Sequence, residues 1–277
     1  MAGGIVNQAR GTPDRERGYA LLMVLVAVGL VAILLAQMEA GARGAAKIAG
    51  GLHDRAEAQA VADGAVWQAL WQVIPGRDGS WPADTRIHPL TIGGQKVEVS
   101  IEDLADRVNI NRDSAAAVAV LLAADGVSGA DAAAIGAKIV DWRSLNPAKE
   151  NLGAKLPEYR AAGLPYGPPN EDYQNLAELE LVLGMTPKIA RSLAHRVTIY
   201  SYGQPRLAAA RDRVELDALK TALETQPSPP LNAPSVFFYE ITSRAKSGAA
   251  TAFRDAVFRV DMNAANQGKF WRLLDWN

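Results

Sequence analysis

Proton transfer near neutral pH and metal ligation fall first to histidine, and this chain has three, His53, His88 and His195, scattered along its length. No grouping of Asp, Glu or His around them at ligand spacing rises above chance, so each is read as a surface or packing residue. The 277 residues contain no cysteine, which excludes thiolate metal sites, disulfides and a cysteine nucleophile. Neither a phosphate-binding Gly-rich loop nor a nucleophile elbow is present. An enzyme is not expected.

One stretch suits a different chemistry. LVLGMTPKIARSLAHR, residues 181–196, is similar to a helix-hairpin-helix, whose backbone amides and basic side chains grip phosphate. Lys188, Arg191 and Arg196 lie close together there, which makes a membrane-anchored periplasmic DNA-uptake protein the alternative reading. Against it, Gly184-Met185-Thr186 lacks the second glycine that lets backbone approach phosphate. Residues 102–200 also carry 13 Asp and Glu against 10 Lys and Arg, whereas phosphate binding demands clustered positive charge. The net charge of −1 gives no overall pull toward nucleic acid or anionic lipid. A helical packing unit is the preferred reading, and no nucleic-acid partner is expected.

The elements around these residues begin with a long apolar run. Tyr19 to Met38 reads YALLMVLVAVGLVAILLAQM without a charge, matching the roughly 20 residues that cross a bilayer core. Arg10, Arg15 and Arg17 precede it and favour a cytoplasmic N-terminus. A secretory signal peptide ending near Ala40–Ala45 and an uncleaved anchor both remain compatible with this composition. Ala56, Ala60, Trp67, Leu70, Trp71 and Ile74 then recur at helical spacing, and Pro75-Gly76 ends the run. Gly41, Gly44, Gly50 and Gly51 predict a bent or partly melted middle.

Beyond the helix, residues 86–101 read as two strands about a Gly93-Gly94 turn. Strands return only at Val236–Thr242, Ala252–Met262 and Lys269–Trp276, the last with Phe270, Leu274 and Trp276 on one face. Sequence-distant strands join one sheet when a self-contained module is inserted between them. Residues 103–200 supply it: helices are predicted from Asp113-Ser114, from Ser128 or Asp131, over Leu176–Leu183 and from Thr186-Pro187. Asn146–Asp172 reads as a long structured loop, and Gln226–Pro234 as a Pro-rich connector. Residues 204–235 receive no assigned role.

The boundary at Gly18, a short charged leader before an unbroken apolar helix, resembles the processing site of type IV prepilins. Two positions depart from that pattern: Tyr19 stands where Phe is usual, and Met23 where Glu is usual. The segments DRVNIN (Asp106–Asn111), IVDWR (Ile139–Arg143), EYRAAGLPYGPPNEDYQNLAELELVLGMT (Glu158–Thr186) and VTIYSYG (Val197–Gly203) look like the helical insertion of K-type minor pseudopilins of type II secretion. That subclass typically lacks the glutamate, so Met23 agrees with it.

The resemblance implies an α+β, type IV pilin-like fold with an all-α insertion. Its expected parts are a prepilin leader over residues 1–18, a transmembrane and amphipathic helix over 19–75, a pilin-like domain over 76–102 and 203–277, and the insertion over 103–202. It implies cleavage by a prepilin peptidase between Gly18 and Tyr19, with N-methylation of Tyr19. The expected role is assembly at the pseudopilus tip, initiating or capping the filament during export of folded proteins. Implied partners are I- and J-like minor pseudopilins, the major pseudopilin and secreted cargo, with a single inner-membrane pass and a periplasmic body. K-type pseudopilins are associated with calcium, and the resemblance puts candidate ligands at Asp141, Glu150, Glu171 and Asp172, oxygen donors of the kind calcium requires.

Overall fold

The computed structural model describes residues 13–201, 210–224, 235–267 and 270–277. Residues 1–12 of the expected leader, 202–209, and the Pro-rich connector 226–234 lie outside the described residues. The chain divides into two compact units, one of residues 1–57 with the turn 247–250, the other of residues 58–246 with 251–277.

Helix α1 spans Pro13–Val73. It runs through Gly41, Gly44, Gly50 and Gly51 as continuous helix, so the middle is not melted as one of the two expectations had it. Each glycine costs about 1 kcal/mol relative to alanine in a helix, and the neighbouring alanines are the strongest helix formers. In the first unit, the turn after strand β5 meets α1. Ser247 Oγ donates to the Glu57 carboxylate, and the Ala249 N–H donates to Asp54 Oδ2 at 3.3 Å. Gly248 there has a φ of +52°, and a Cβ would sit 2.1 Å from that Asp54 oxygen, so only glycine fits.

The second unit holds a five-stranded sheet in the order β1-β2-β5-β6-β7. Strands β1 (His88–Ile92) and β2 (Gln95–Asp103) form the hairpin about Gly93-Gly94, both with positive φ. Strands β5 (Val236–Ser247), β6 (Ala250–Asp261) and β7 (Trp271–Trp276) complete the sheet. The end of α1 packs on one face through Val61, Ala62, Ala65, Val66, Ala69, Leu70 and Val73, against Val99, Ile101, Ile241, Phe258 and Val260. The predicted stripe is right at Leu70 and Ile74, which are buried, and wrong elsewhere. Ala56 and Ala60 are exposed, and Trp67 and Trp71 are 41% and 55% exposed at its margin. Alanine lets the helix approach the sheet closely, so the small residues face inward and the indoles border the contact. Trp67 stacks on Trp276, ring centroids 5.7 Å apart.

Strand β7 departs from simple alternation. Val257 pairs with Asp275 but Phe258 pairs with Leu273, so Leu274 is the extra residue of a β-bulge. Leu273 and Trp276 therefore pack with the α1 core, while Leu274 joins Leu104, Phe238 and Val257 in a separate cluster. The predicted grouping of Leu274 with Trp276 fails for that reason.

Strands β2 and β5 pair antiparallel from Val97↔Ala245 to Asp103↔Tyr239. The chain thus leaves the sheet at Asp103 and rejoins the adjacent strand at Val236. Between them lie strand β3 (Val108–Asn109) and helices α2 (Ala115–Ala124), α3 (Gly129–Arg143), α4 (Leu156–Ala161) and α5 (Pro187–Ala194). Strand β4 (Val197–Thr198) and helix α6 (Arg213–Glu224) complete the insertion. The helical segment predicted over 176–183 is a 3₁₀ helix, Leu176–Leu181, and α4 lies within the predicted loop. Ser114, Ser128 and Thr186 accept from Ala117, Asp131 and Ile189 backbone N–H groups as N-caps.

Helix α6 lies in the segment left without a role. Its Ala218, Leu219 and Ala222 are fully buried in the same core as Leu121, Ile139 and Leu193. The packing of the helical module therefore extends past residue 202 to Glu224, and the part of 203–277 that forms sheet begins at Val236. Replacing Ala65, which is 0% exposed beneath the sheet, by leucine should destabilise this unit by about 1–3 kcal/mol through overpacking. Denaturant unfolding monitored by tryptophan fluorescence would measure it.

At the root of the module, Arg107 Nε and Nη2 each donate to Glu102 at 2.7 Å, and the same guanidinium pairs with Glu240 on β5. Asp106 beside it is buried. Burial first, then the charges of Glu102 and Glu215, push its carboxyl from 3.8 to about 7, with Arg211 opposing. Native protein then holds a proton that unfolded chain releases, so stability falls as pH rises from about 4 to about 7. Thermal melting across that range should show the decline, and Asp106→Asn should flatten it.

Candidate functional site

Two features could carry function: the apolar half of α1 and the inserted module. In α1, the large apolar side chains from Leu21 to Met38 are more than half exposed, with Leu21 at 70%, Met23 at 67% and Leu35 at 58%. Among the described residues, this is the one helix long and apolar enough to cross a membrane. Tyr19 is 73% exposed, and the Gly18–Tyr19 bond lies within helical backbone.

The module is fastened by buried polar side chains. Short β3 and β4 pair in parallel, Val108 with Val197 and Asn109 with Thr198, which joins DRVNIN to VTIYSYG. Asn109 Nδ2 donates to Ser201 O and Oγ, both at 2.8 Å, and its backbone N–H donates to Asp113 Oδ2 at 2.6 Å. Asn111 pairs with the Tyr173 backbone through both ends of its amide, donating to Tyr173 O at 3.0 Å and accepting from Tyr173 N at 2.8 Å. Arg143 donates to the carbonyls of Asn111 and Asp113 at 2.7 Å each. Burial lowers its pKa, which the nearby Asp172, Tyr173 and Asp113 partly offset. The Tyr173 hydroxyl donates to Ile139 O at 3.2 Å, and burial raises its pKa well above the usual value. Tyr159, pushed up to about 12 chiefly by burial, accepts from the Leu183 N–H. These groups hold segments together.

Residues 99–202, the end of β2 and most of this module, match the sequence model of a family described as type II secretion system (T2SS), protein K. The inserted module is thus similar to type II secretion protein K. Its fold is similar to a chain in the crystal structure of the GspK–GspI–GspJ complex from the enterotoxigenic Escherichia coli type 2 secretion system. That match has a TM-score of 0.51 at 16% sequence identity and covers 79% of this chain and 93% of that one. The mixed architecture, a long N-terminal apolar helix with an antiparallel sheet and a helical insertion, is the pilin-like fold expected. No curated protein matches the chain.

The protein K module does not bring the candidate calcium ligands together. Asp141 is fully buried and its two carboxylate oxygens accept one N–H, that of Glu150, at 3.2 and 3.1 Å. Glu150 and Glu171 are exposed, and Asp172 pairs with Arg112 at 3.3 Å. Among the described residues no group of three or more His, Asp or Glu side chains is placed to hold a metal ion. Calcium asks for six to eight oxygens, so the residues present do not fit one.

In the basic stretch of the alternative reading Lys188 is exposed, while Arg191 and Arg196 have partners within the chain. Gly184, at a φ of +89°, turns the chain from the 3₁₀ segment into α5, whose Ala190 and Leu193 are buried. Arg196 pairs with Asp212 at 3.1 Å and Arg191 donates to Pro187 O. Of the histidines, His53 is exposed on α1, His88 stacks on Trp81 at 4.3 Å, and His195 caps α5. Sequence reasoning missed Asn109, Asn111, Arg143 and Lys155, since nothing in their spacing announces a backbone partner far along the chain. Asn111→Leu should strand the Tyr173 N–H and C=O at a cost of roughly 1–3 kcal/mol each, read by chemical unfolding of the full chain.

Proposed function

We propose that this chain serves type II secretion as a minor pseudopilin which joins I- and J-like partners at the pseudopilus tip, where it starts or caps the filament during export of folded proteins. The observation that carries the reading is the pairing of an inserted module similar to protein K with an apolar helical span that none of the described residues covers. Exposed apolar surface on that scale requires lipid or neighbouring helices. Leu21 through Leu35 would supply the helix packing, and Gly29, with nothing within 4 Å of a built Cβ, would permit close approach. The role is mechanical rather than enzymatic, in keeping with polar side chains spent on backbone. The helix makes one pass of the inner membrane and the body lies in the periplasm. Secreted cargo and the major pseudopilin are the further partners of this reading.

Maturation belongs to the same proposal. A prepilin peptidase cuts between Gly18 and Tyr19 and the new N-terminus is methylated. Intact mass and N-terminal analysis of the membrane-extracted protein, made with and without the peptidase, tests it. The expected product begins at methylated Tyr19 only when the peptidase is present, and replacing Gly18 by a bulky residue leaves the leader attached and blocks assembly. Cleavage near residues 40–45, no cleavage, or normal filament initiation by the Gly18 variant would overturn the reading. Co-purification with I- and J-like partners tests the assembly step separately.

A further inference from the structure

The loop from the end of α3 to Tyr173 closes around a charge that belongs to the chain. Lys155, at the start of α4, is 7% exposed. Its Nζ donates to Asp141 O, Ser144 O and Asn170 Oδ1, each at 2.7 Å. An ammonium has three N–H donors and no acceptor, so all of its capacity is used. Two of the acceptors are carbonyls at the C-terminal end of α3, where the last turn has no intrahelical donors and the helix dipole favours a cation. The third comes from the far side of the loop. Asn170 is held there by its own N–H to Trp142 O at 3.0 Å and by a left-handed φ of +60°. The buried Asp141 carboxylate supplies opposite charge nearby. Burial lowers the pKa of Lys155, and the Asp141 charge opposes that shift.

Three oxygens from two segments, the end of α3 and the far side of the loop, converging on one buried positive centre is the arrangement a hard metal ion imposes on a loop, with fewer ligands and longer distances. Calcium would take six to eight oxygens at about 2.3–2.6 Å. Here the oxygens that converge already hold nitrogen, and the four candidate carboxylates do not converge. We propose that the Lys155 ammonium is the built-in cation of this loop and that the module of this chain is ordered without calcium. The inference rests on the loop geometry alone and is independent of whether the chain assembles at a filament tip.

Hydrogen exchange of the detergent-solubilised full chain tests it. Amide protection over residues 144–170 should be the same in chelator and in excess calcium chloride. Lys155→Met should lower protection in that segment by about tenfold or more, the scale of losing charge-assisted hydrogen bonds, and leave β2 and β5 unchanged. Should that variant fail to fold, Asn170→Ala keeps the ammonium and removes one acceptor, and a smaller loss confined to the same segment is expected. Calcium-dependent protection or saturable binding of radioactive calcium by the unaltered protein would overturn the proposal. So would unchanged protection in a folded Lys155→Met or in Asn170→Ala.

Discussion

The pairing of β2 with β5 is the constraint on which the rest of the second unit depends. These strands lie side by side from Val97↔Ala245 to Asp103↔Tyr239, although the whole helical module lies between them in sequence. Closing so long a connection costs little more than closing a short one, because loop entropy grows only with the logarithm of length. The condition is that the inserted chain folds on its own account. The inserted chain brings a core of its own, Leu121, Ile139, Tyr159, Leu193 and Leu219, distinct from the core under α1. Arg107 then ties the exit to the return, pairing with Glu102 on β2 and Glu240 on β5 with only 11% of its side chain exposed. Removing either carboxylate would leave a poorly solvated charge, so the junction is specified more sharply than surface ion pairs are.

Helix α1 answers two solvents with two alphabets. Between Leu21 and Met38 its large apolar side chains are exposed among the described residues, which suits lipid tails or other helices. Between Ala58 and Val73 the buried positions are mostly alanine and valine, which suits close approach to a twisted sheet. Large aromatic residues on this half, Trp67 and Trp71, sit at the border. There Trp67 meets Phe258, Trp271 and Trp276, and Trp71 meets the Arg77 guanidinium 3.9 Å from its ring centroid.

Local signals were legible where the chain's own neighbours decide the conformation. The Gly93-Gly94 hairpin and the caps at Ser114, Ser128 and Thr186 are of this kind, and so is the expectation of a module between distant strands. What stayed hidden depends on distant partners. The α1 stripe was read correctly at Leu70 and Ile74 but misread at Trp67 and Trp71, because aromatic residues dominate a hydrophobicity pattern while alanines dominate close packing. The β7 face was misread because one bulge at Leu274 reverses the alternation. Helix α6 carried no recognisable motif, and its place is set by the pocket that Ala218, Leu219 and Ala222 fill.

The same distinction decides what the module's polar residues mean. Asparagine, aspartate, lysine and arginine are expensive to bury, so their presence in short motifs suggests ligands waiting for a substrate or metal. The structure separates a ligand from a fastener by asking where each polar atom is spent. Asn109 and Asn111 are spent on backbone, as are both terminal nitrogens of Arg143, although its Nε finds no partner. The Asp141 oxygens hold the loop at Glu150, and Lys155 closes it at three points. Loops that carry chemistry keep donors or acceptors in reserve for what they bind. Here those groups hold a long irregular connection in one shape, which suits the proposed role as part of an assembly.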